Sequence, residues 1–306
     1  MTRTAVPLTT HLSYCDLNFL GKPDTIATAI LNAPGGVALI DPGPSTCLDS
    51  LELSLQGEGI TWRDVTAILL THIHLDHAGA TGTILARYPH IEVFVHERGA
   101  RHLADPSKLV ESASRYFGPA NMQRFWGEIA PVPRQRLRVL TGGERVEAGG
   151  RTFDVLYTPG HAHHHVSYFD PSSGIAFVGD TAGMRVKGGA VVPPTPPPDF
   201  DVELWMRSIE RIAALRPQTV FLTHFGPADD VQPHLQTLAE ALRWMVSIVE
   251  DALRGDATDA ERSQAFGERL RRELFRAADS EHMPAYEGTA ALDTLWFGIA
   301  TYLRRR

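Results

Sequence analysis

"VTAILLTHIHLDHAGATG", residues 65–82, is the stretch from which the rest of the chain can be read. Its first six residues are apolar except for Thr66, with the length and β-branched content of a buried strand. The next seven, 71–77, hold three histidines and an aspartate. In extended chain His72 and His74 are two apart and point to the same side. Asp76 and His77 fall where "AGATG" turns the chain toward a helix, which lets them face a second point nearby. Imidazole and carboxylate are donors that zinc, iron and manganese accept without thiolate. One short loop is therefore fit to serve two cations.

Moving outward, the same arrangement recurs: an apolar strand ends in a metal-type residue. "VALI" (37–40) leads to Asp41, "TFDVLY" (152–157) to "TPGH" and His161, "GIAFVG" (174–179) to Asp180, and "TVFL" (219–222) to "TH" and His224. Aligned strand ends would gather these residues at one edge of the sheets. Further strands are expected at "TIATAIL", "IEVFV", "RLRVL" and "HVSYF", and helices near 46–57, 77–88 and 201–214. Such interleaving makes an α/β layered domain. Within "HAHHH" (161–165), His161 takes the ligand role, because a metal has few coordination positions. His163 and His164 are expected to face solvent or stand behind the ligands, and His165 opens a strand. His11, His90, His96, His102, His234 and His282 have no such context and are expected at the surface.

Composition narrows the function classes. The 306 residues are 43% hydrophobic and 21% charged, enough for a sizeable core. A formal charge of −7 offers no general attraction for phosphate backbones, so no nucleic-acid partner is expected. The terminal "RRR" is better placed to complement the dipole of a last helix. No apolar run is long enough to span a bilayer, so no membrane partner is expected. Cys15 and Cys47 stand far apart, against a disulfide framework, and a reducing cytoplasm is the expected location.

Two segments break the alternation. Residues 96–130 read as a helical insertion carrying Tyr116, Phe117, Met122, Phe125, Trp126 and Ile129, either a lid over a substrate pocket or a cluster packed on the sheet. "VVPPTPPPDFD" (191–201) is a stiff extended strap. From 228 onward the pattern is helical: Leu235, Leu238, Leu242, Met245, Val249 and Leu253 form one apolar stripe, and Leu292, Leu295, Trp296, Ile299 and Leu303 another. These stripes must cover the sheet domain, each other, or a second subunit in a homodimer.

The motifs "LIDPG" (39–43), "HIHLDH" (72–77), "PGH" (159–161), "VGD" (178–180) and "TH" (223–224) together resemble those of the metallo-β-lactamase-fold hydrolase superfamily, over about residues 24–227. The resemblance implies an αβ/βα four-layer sandwich of two mixed sheets, a catalytic domain over 1–227, and a helical region over 228–306. It implies one metal held by His72, His74 and His161 and a second by Asp76, His77 and His224, with Asp180 bridging. Asp41 and His165 would support these ligands from behind, and Asp76 and Asp180 would be the catalytic carboxylates. The implied cofactors are two divalent ions, zinc first, with iron or manganese compatible. The implied reaction is hydrolysis of a small-molecule ester, thioester or lactone by hydroxide held between the metals, as in the glyoxalase II-like and lactonase-like branches. Aspartate at 180 disfavours the thiolate-using β-lactamases, and His74 differs from the glutamate of the flavodiiron branch. A mononuclear iron enzyme resembling persulfide dioxygenases and a non-catalytic metal-binding module are the alternatives.

Overall fold

The computed structural model describes residues 5–275 and 277–306, together with the side chains of all of these except Tyr116 and residues 277–279. Seven strands form the first sheet in sequential order: β1 (Val6–Thr9), β2 (Leu12–Asp16), β3 (Ala27–Ala33), β4 (Gly36–Ile40), β5 (Val65–Leu69), β6 (Glu92–His96) and β7 (Leu137–Leu140). The second sheet comprises β8 (Arg145–Ala148), β9 (Arg151–Tyr157), β10 (Val166–Asp170), β11 (Ile175–Phe177), β12 (Thr219–Leu222) and β13 (Gly226–Ala228), also in sequential order. Both are mixed: β4, β5, β6 and β7 run parallel, as do β11 and β12, and the other pairings are antiparallel.

Strand periodicity explains the layering. Ala27, Ala29 and Leu31 of β3, Ala38 and Ile40 of β4, and Ala67 and Leu69 of β5 face Phe153, Val155, Tyr168, Phe177 and Phe221 of the second sheet. The intervening residues Ile30, Val37 and Leu39 turn outward to a helix layer, where they pack with Leu51, Leu55, Ile84 and Leu85. On the far side Ala176, Val178, Val220 and Leu222 do the same against Trp205, Ile212, Leu238 and Trp296. Small residues in the first sheet opposite large aromatics in the second let two pleated faces interdigitate. Strands buried on both faces read as continuous apolar runs, which is why "VTAILL" and "VALI" show no polar alternation.

The helices in chain order are α1 (Leu48–Gly57), α2 (Leu75–Ala78), α3 (Thr81–Arg87), α4 (Glu97–Ala104), α5 (Ser107–Phe117), α6 (Pro119–Trp126), α7 (Val202–Ala214), α8 (Val231–Leu253), α9 (Asp259–Glu273), α10 (Met283–Thr289) and α11 (Leu295–Arg305). Helices α4 to α6 occupy the stretch read as an insertion. Trp126 stacks on Phe19 at 5.6 Å and meets Phe117 and Phe125 edge-on, so this face packs on the first sheet's helix layer. The Tyr116 side chain lies outside the described residues. Both C-terminal stripes are turned onto the second sheet: Leu235, Leu238, Leu242, Met245 and Val249 of α8 join Leu292, Leu295, Trp296 and Ile299 in its outer core. Of the terminal arginines, Arg304 pairs with Asp259, Arg305 with the Pro198 carbonyl and Arg306 with Glu203. Among the described residues no helix is long and apolar enough to cross a membrane.

Four short strands, β1, β2, β8 and β13, lie outside the expected set. Each is at or next to a sheet edge, where the apolar pattern is diluted: β13 is only "GPA", and β8 is "RVEA". Two histidines expected at the surface are buried. His96 is 2% exposed and stacks on Tyr157 at 4.6 Å, while His234 is 1% exposed with Nε2 2.8 Å from the Ala182 carbonyl. His96 Nδ1 accepts from Arg98 N–H while its ring lies on Tyr157, and His234 is held by a carbonyl; the Tyr157 and Ala182 partners are not visible from the local sequence.

Candidate metal centre

Parallel pairing aligns the ends that matter. β4 and β5 run side by side and deliver Asp41 and the 71–77 loop; β11 and β12 do the same for Asp180 and His224. β9, antiparallel to β10 as β11 is, points the same way and delivers His161. The sheets are joined at this edge by Val166 N–H to the Thr71 carbonyl, 2.8 Å, and by Ala27 N–H to the Thr223 carbonyl, 2.8 Å.

All seven residues proposed from sequence as ligands meet there, in two donor sets. His72, His74, His161 and Asp180 form one and Asp76, His77 and His224 the other, with the donor atoms of each set within 4.8 Å of one another. His74 Nδ1 lies 2.9 Å from both His72 Nε2 and His161 Nε2. The Asp180 carboxylate is divided between the sets. Its Oδ2 lies 3.3 Å from His161 Nε2 and 4.0 Å from His72 Nε2, whereas Oδ1 lies 3.3 Å from His77 Nε2 and 3.4 Å from His224 Nε2. Asp76 Oδ2 is 3.4 Å from His224 Nε2. The Asp76 side chain is 21% exposed against 5% for Asp180, so the cluster opens toward solvent on the Asp76 side.

The opposite ring nitrogens are tied down. His161 Nδ1–H donates to the Pro194 carbonyl at 2.8 Å, His224 Nδ1–H to the Thr25 carbonyl at 2.6 Å, and His77 Nδ1–H to Asp41 Oδ2 at 2.8 Å. His72 Nδ1 lies 3.1 Å from Thr71 Oγ1, which itself donates to Asp41 Oδ2 at 2.7 Å. For His161, His224 and His77 these bonds keep a proton on Nδ1 and turn Nε2 inward, the nitrogen that coordinates when it carries no proton. His77 Nε2, His224 Nε2 and Asp180 Oδ1 are buried and have no hydrogen-bond partner. Buried polar atoms are nearly always satisfied, and three orphans converging on one space are what a cation would satisfy. The donor set fits divalent metal.

Electrostatics separate the two halves. Burial, together with neighbouring imidazoles, lowers the pKa of His72 well below its usual value and that of His74 to about 4; burial also lowers His161. Burial acts on His77 and His224 in the same direction, but Asp180 and Asp76 overcome it and raise both. Burial opposes ionisation of the two aspartates as well; His77 and His224 outweigh it and hold Asp76 at about 2 and Asp180 well below the carboxylate range.

Supporting residues fall as follows. Asp41, fully buried with φ +52°, accepts from Thr71 N–H, Thr71 Oγ1, His77 Nδ1 and Thr223 Oγ1. His165 Nδ1 contacts Thr158 and Thr181 Oγ1 while its ring lies 4.9 Å from that of His72. His163 and His164 are partly exposed and belong to neither donor set, although the His164 ring is 5.4 Å from His74. Thr71, Thr158 and Thr223, which hydrogen-bond to Asp41 or His165 and which the sequence reading misses, each stand directly before or within a candidate ligand motif: "TH", "TPGH" and "TH" again.

Comparison with known proteins agrees with this geometry. The profile of the metallo-beta-lactamase superfamily matches residues 22–224. A metallo-beta-lactamase fold-containing protein of Sulfurisphaera tokodaii is 33% identical over 163 residues, 52% of this chain and 60% of that protein. A hydroxyacylglutathione hydrolase of Thermosynechococcus vestitus is 33% identical over 149 residues, 48% of this chain and 44% of the hydrolase. The matched stretch thus spans about half the length of these curated relatives. Among solved structures, a metallo-beta-lactamase family protein of Thermus thermophilus superposes with a TM-score of 0.66 at 26% identity, covering 92% of this chain and 88% of the other. The sandwich, the site at its edge and the profile match across two thirds of the residues lead to one assignment: the chain belongs to the metallo-beta-lactamase superfamily.

Proposed function

We propose that this protein is a dinuclear metal-dependent hydrolase that cleaves an ester, thioester or lactone in a small molecule. The observation that carries the reading is the division of Asp180, one oxygen toward each donor set at 3.3–3.4 Å from the nearest imidazoles. A carboxylate so placed is suited to hold two cations in one frame. When bound, these ions, zinc first among the candidates, would supply Lewis acidity, lowering the pKa of a shared water and polarising the scissile carbonyl.

The chain's own residues supply the rest. Asp76, ionised and the more exposed carboxylate, is placed to orient the attacking water and to accept its proton. Asp41 and the backbone carbonyls of Thr25 and Pro194 keep His77, His224 and His161 in one tautomer throughout. A cysteine nucleophile is not needed: Cys15 and Cys47 are buried, and burial pushes both thiols up to about 12. The similarity to hydroxyacylglutathione hydrolases supports the thioester member of this substrate group.

The test is elemental analysis of the purified chain followed by turnover of a panel of thioesters, lactones, β-lactams and phosphodiesters. Two metals per chain, carbonyl-ester turnover, and loss of both metal and turnover in His74→Ala and Asp76→Ala with the fold retained are expected. One iron per chain with oxygen uptake on a persulfide would replace this reading with an oxygenase.

A further inference from the structure

Helix α7 contributes no residue to either donor set, yet it touches both segments through which the second sheet reaches the candidate metal centre. Near its start is Trp205, fully buried. The indole Nε1–H donates to the Thr181 carbonyl at 2.7 Å, one residue beyond Asp180. The same ring stands edge-on to His161, with centroids 5.6 Å apart and planes at 85°. The backbone of Trp205 lies against Gly160 so closely that a Cβ on that glycine would fall 2.3 Å from Trp205 Cα. Two neighbours reinforce the contact: Ser208 Oγ donates to the Pro159 carbonyl at 2.6 Å and Asp201 N–H to the Gly160 carbonyl at 2.9 Å. The two loops are also linked directly, Thr181 Oγ1 donating to the Thr158 carbonyl at 3.0 Å.

From this we infer that Trp205 is a positioning residue that buckles the His161 and Asp180 loops together and so sets the donor geometry of one of the two metal sites. The inference rests on the reading of the two donor sets as metal sites. His72 and His74 come from the first sheet on a single loop, so their mutual placement is local. His161 and Asp180 come from different strands of the other sheet, and closing this set requires that their loops keep a fixed separation. The indole does this with one hydrogen bond and one ring contact from a side chain that cannot shift in a close-packed core. The other set, Asp76, His77 and His224, meets these loops only through the shared Asp180 Oδ1 and takes its remaining support from Asp41. Trp205 is thus expected to govern one metal equivalent more than the other.

The test compares wild type with Trp205→Phe, which keeps an aromatic ring but removes the N–H, and Trp244→Phe, which removes an indole on α8 that lies under the Arg269 guanidinium of α9. Zinc is titrated into each apoprotein in competition with a chromophoric chelator while tryptophan emission is followed. Wild type and Trp244→Phe are expected to bind two equivalents, and their emission to change as the site beside His161 fills. Trp205→Phe is expected to lose that emission change and to bind one equivalent about 10- to 100-fold more weakly, leaving the other within about threefold. Ser208→Ala, which removes only the Pro159 contact, should give a smaller shift in the same equivalent. Two unchanged equivalents in Trp205→Phe, or equal weakening of both, would overturn the positioning role while leaving the hydrolase reading intact. A wild-type chain that binds no zinc would remove the metal-site reading and this inference with it.

Discussion

Asp41 Oδ2 and His77 Nδ1 lie 2.8 Å apart, both completely buried, and this bond joins the end of β4 to the ligand loop after β5. The same carboxylate oxygen takes hydroxyl protons from Thr71 and from Thr223, the residue before His224. One acidic side chain therefore fixes ligand segments from both sheets. Asp41→Asn should isolate that effect, because asparagine tolerates the positive φ at this position. Its amide nitrogen, however, would face donors that now lack an acceptor. We expect a loss of about 3–5 kcal/mol in stability, together with about 10- to 100-fold weaker metal binding. Urea unfolding of the apoprotein and chelator competition measure the two; an unchanged midpoint would refute the hub role.

The opposite pKa shifts of the two donor sets predict where protons go on metal binding. His72, His74 and His161 are lowered and already neutral near pH 7, so a cation entering their set displaces no proton from them. His77 is raised well above its usual range and His224 in the same direction, so any proton held at Nε2 must leave before that nitrogen can coordinate. Metal uptake should thus release protons, and affinity should rise with pH through the raised values. Calorimetry in buffers of different ionisation enthalpy reads the release directly. In the metal-free fold the lowered His74 makes stability rise with pH as well. Between 6.5 and about 4 the unfolded chain binds a proton that the folded chain refuses, so this contribution to stability is lost as pH falls through that window. The raised His77 and His224 lose their protons only above 6.5 and add no pH dependence to this window. A metal-free stability that rose on acidification from 6.5 to 4 would contradict the lowered values of His72, His74 and His161.

Cys15 and Cys47 provide a check on the core that is independent of metal. Both are buried, and burial pushes their thiols up to about 12, so at pH 8 almost no thiolate exists. Iodoacetamide should leave both unmodified in the native protein and alkylate both after unfolding in guanidinium, as counted by intact mass. Rapid native labelling of Cys15 would mean that β2 opens locally far more often than its packing implies.

Much of this centre is legible in the sequence because its ligands sit at strand ends and carry unusual chemistry for such places. Asp41, His72, His161, Asp180 and His224 each follow an apolar run, and the strands that align them show as those runs. What stays hidden are interactions made by ordinary residues over long sequence distances. Trp205 looks like any large apolar residue on an amphipathic helix, and nothing local pairs its indole with Thr181, 24 positions away. The carbonyls of Thr25 and Pro194 have no side-chain signature at all. His96 and His234 are expected at the surface because isolated histidines usually lie there; each finds a buried partner instead.

The insertion can be separated from the metal chemistry by a single side chain. Trp126 is 6% exposed, stacks on Phe19 with planes 14° apart, and forms edge contacts with Phe117 and Phe125. Its neighbours are tied to the turn before α1 through Thr46 Oγ1, which donates to the Phe125 carbonyl at 2.7 Å, and Ser45 Oγ, which donates to the Glu128 carbonyl at 2.6 Å. Trp126→Ala empties the centre of this cluster and should cost about 3–5 kcal/mol of stability. No donor of either metal set comes from residues 97–126, so both metal equivalents should remain with wild-type affinity. Trp126→Phe is expected to cost much less, because the indole Nε1–H is buried without a partner and its removal relieves a desolvated group. If α4 to α6 wall the substrate pocket, Trp126→Ala will also raise KM at unchanged kcat; a packed cluster that only supports the sheet will leave both constants alone at temperatures below the lowered Tm. Loss of metal in Trp126→Ala under conditions where the fold persists would show that the insertion and the ligand loop are coupled, against the separation argued from these contacts.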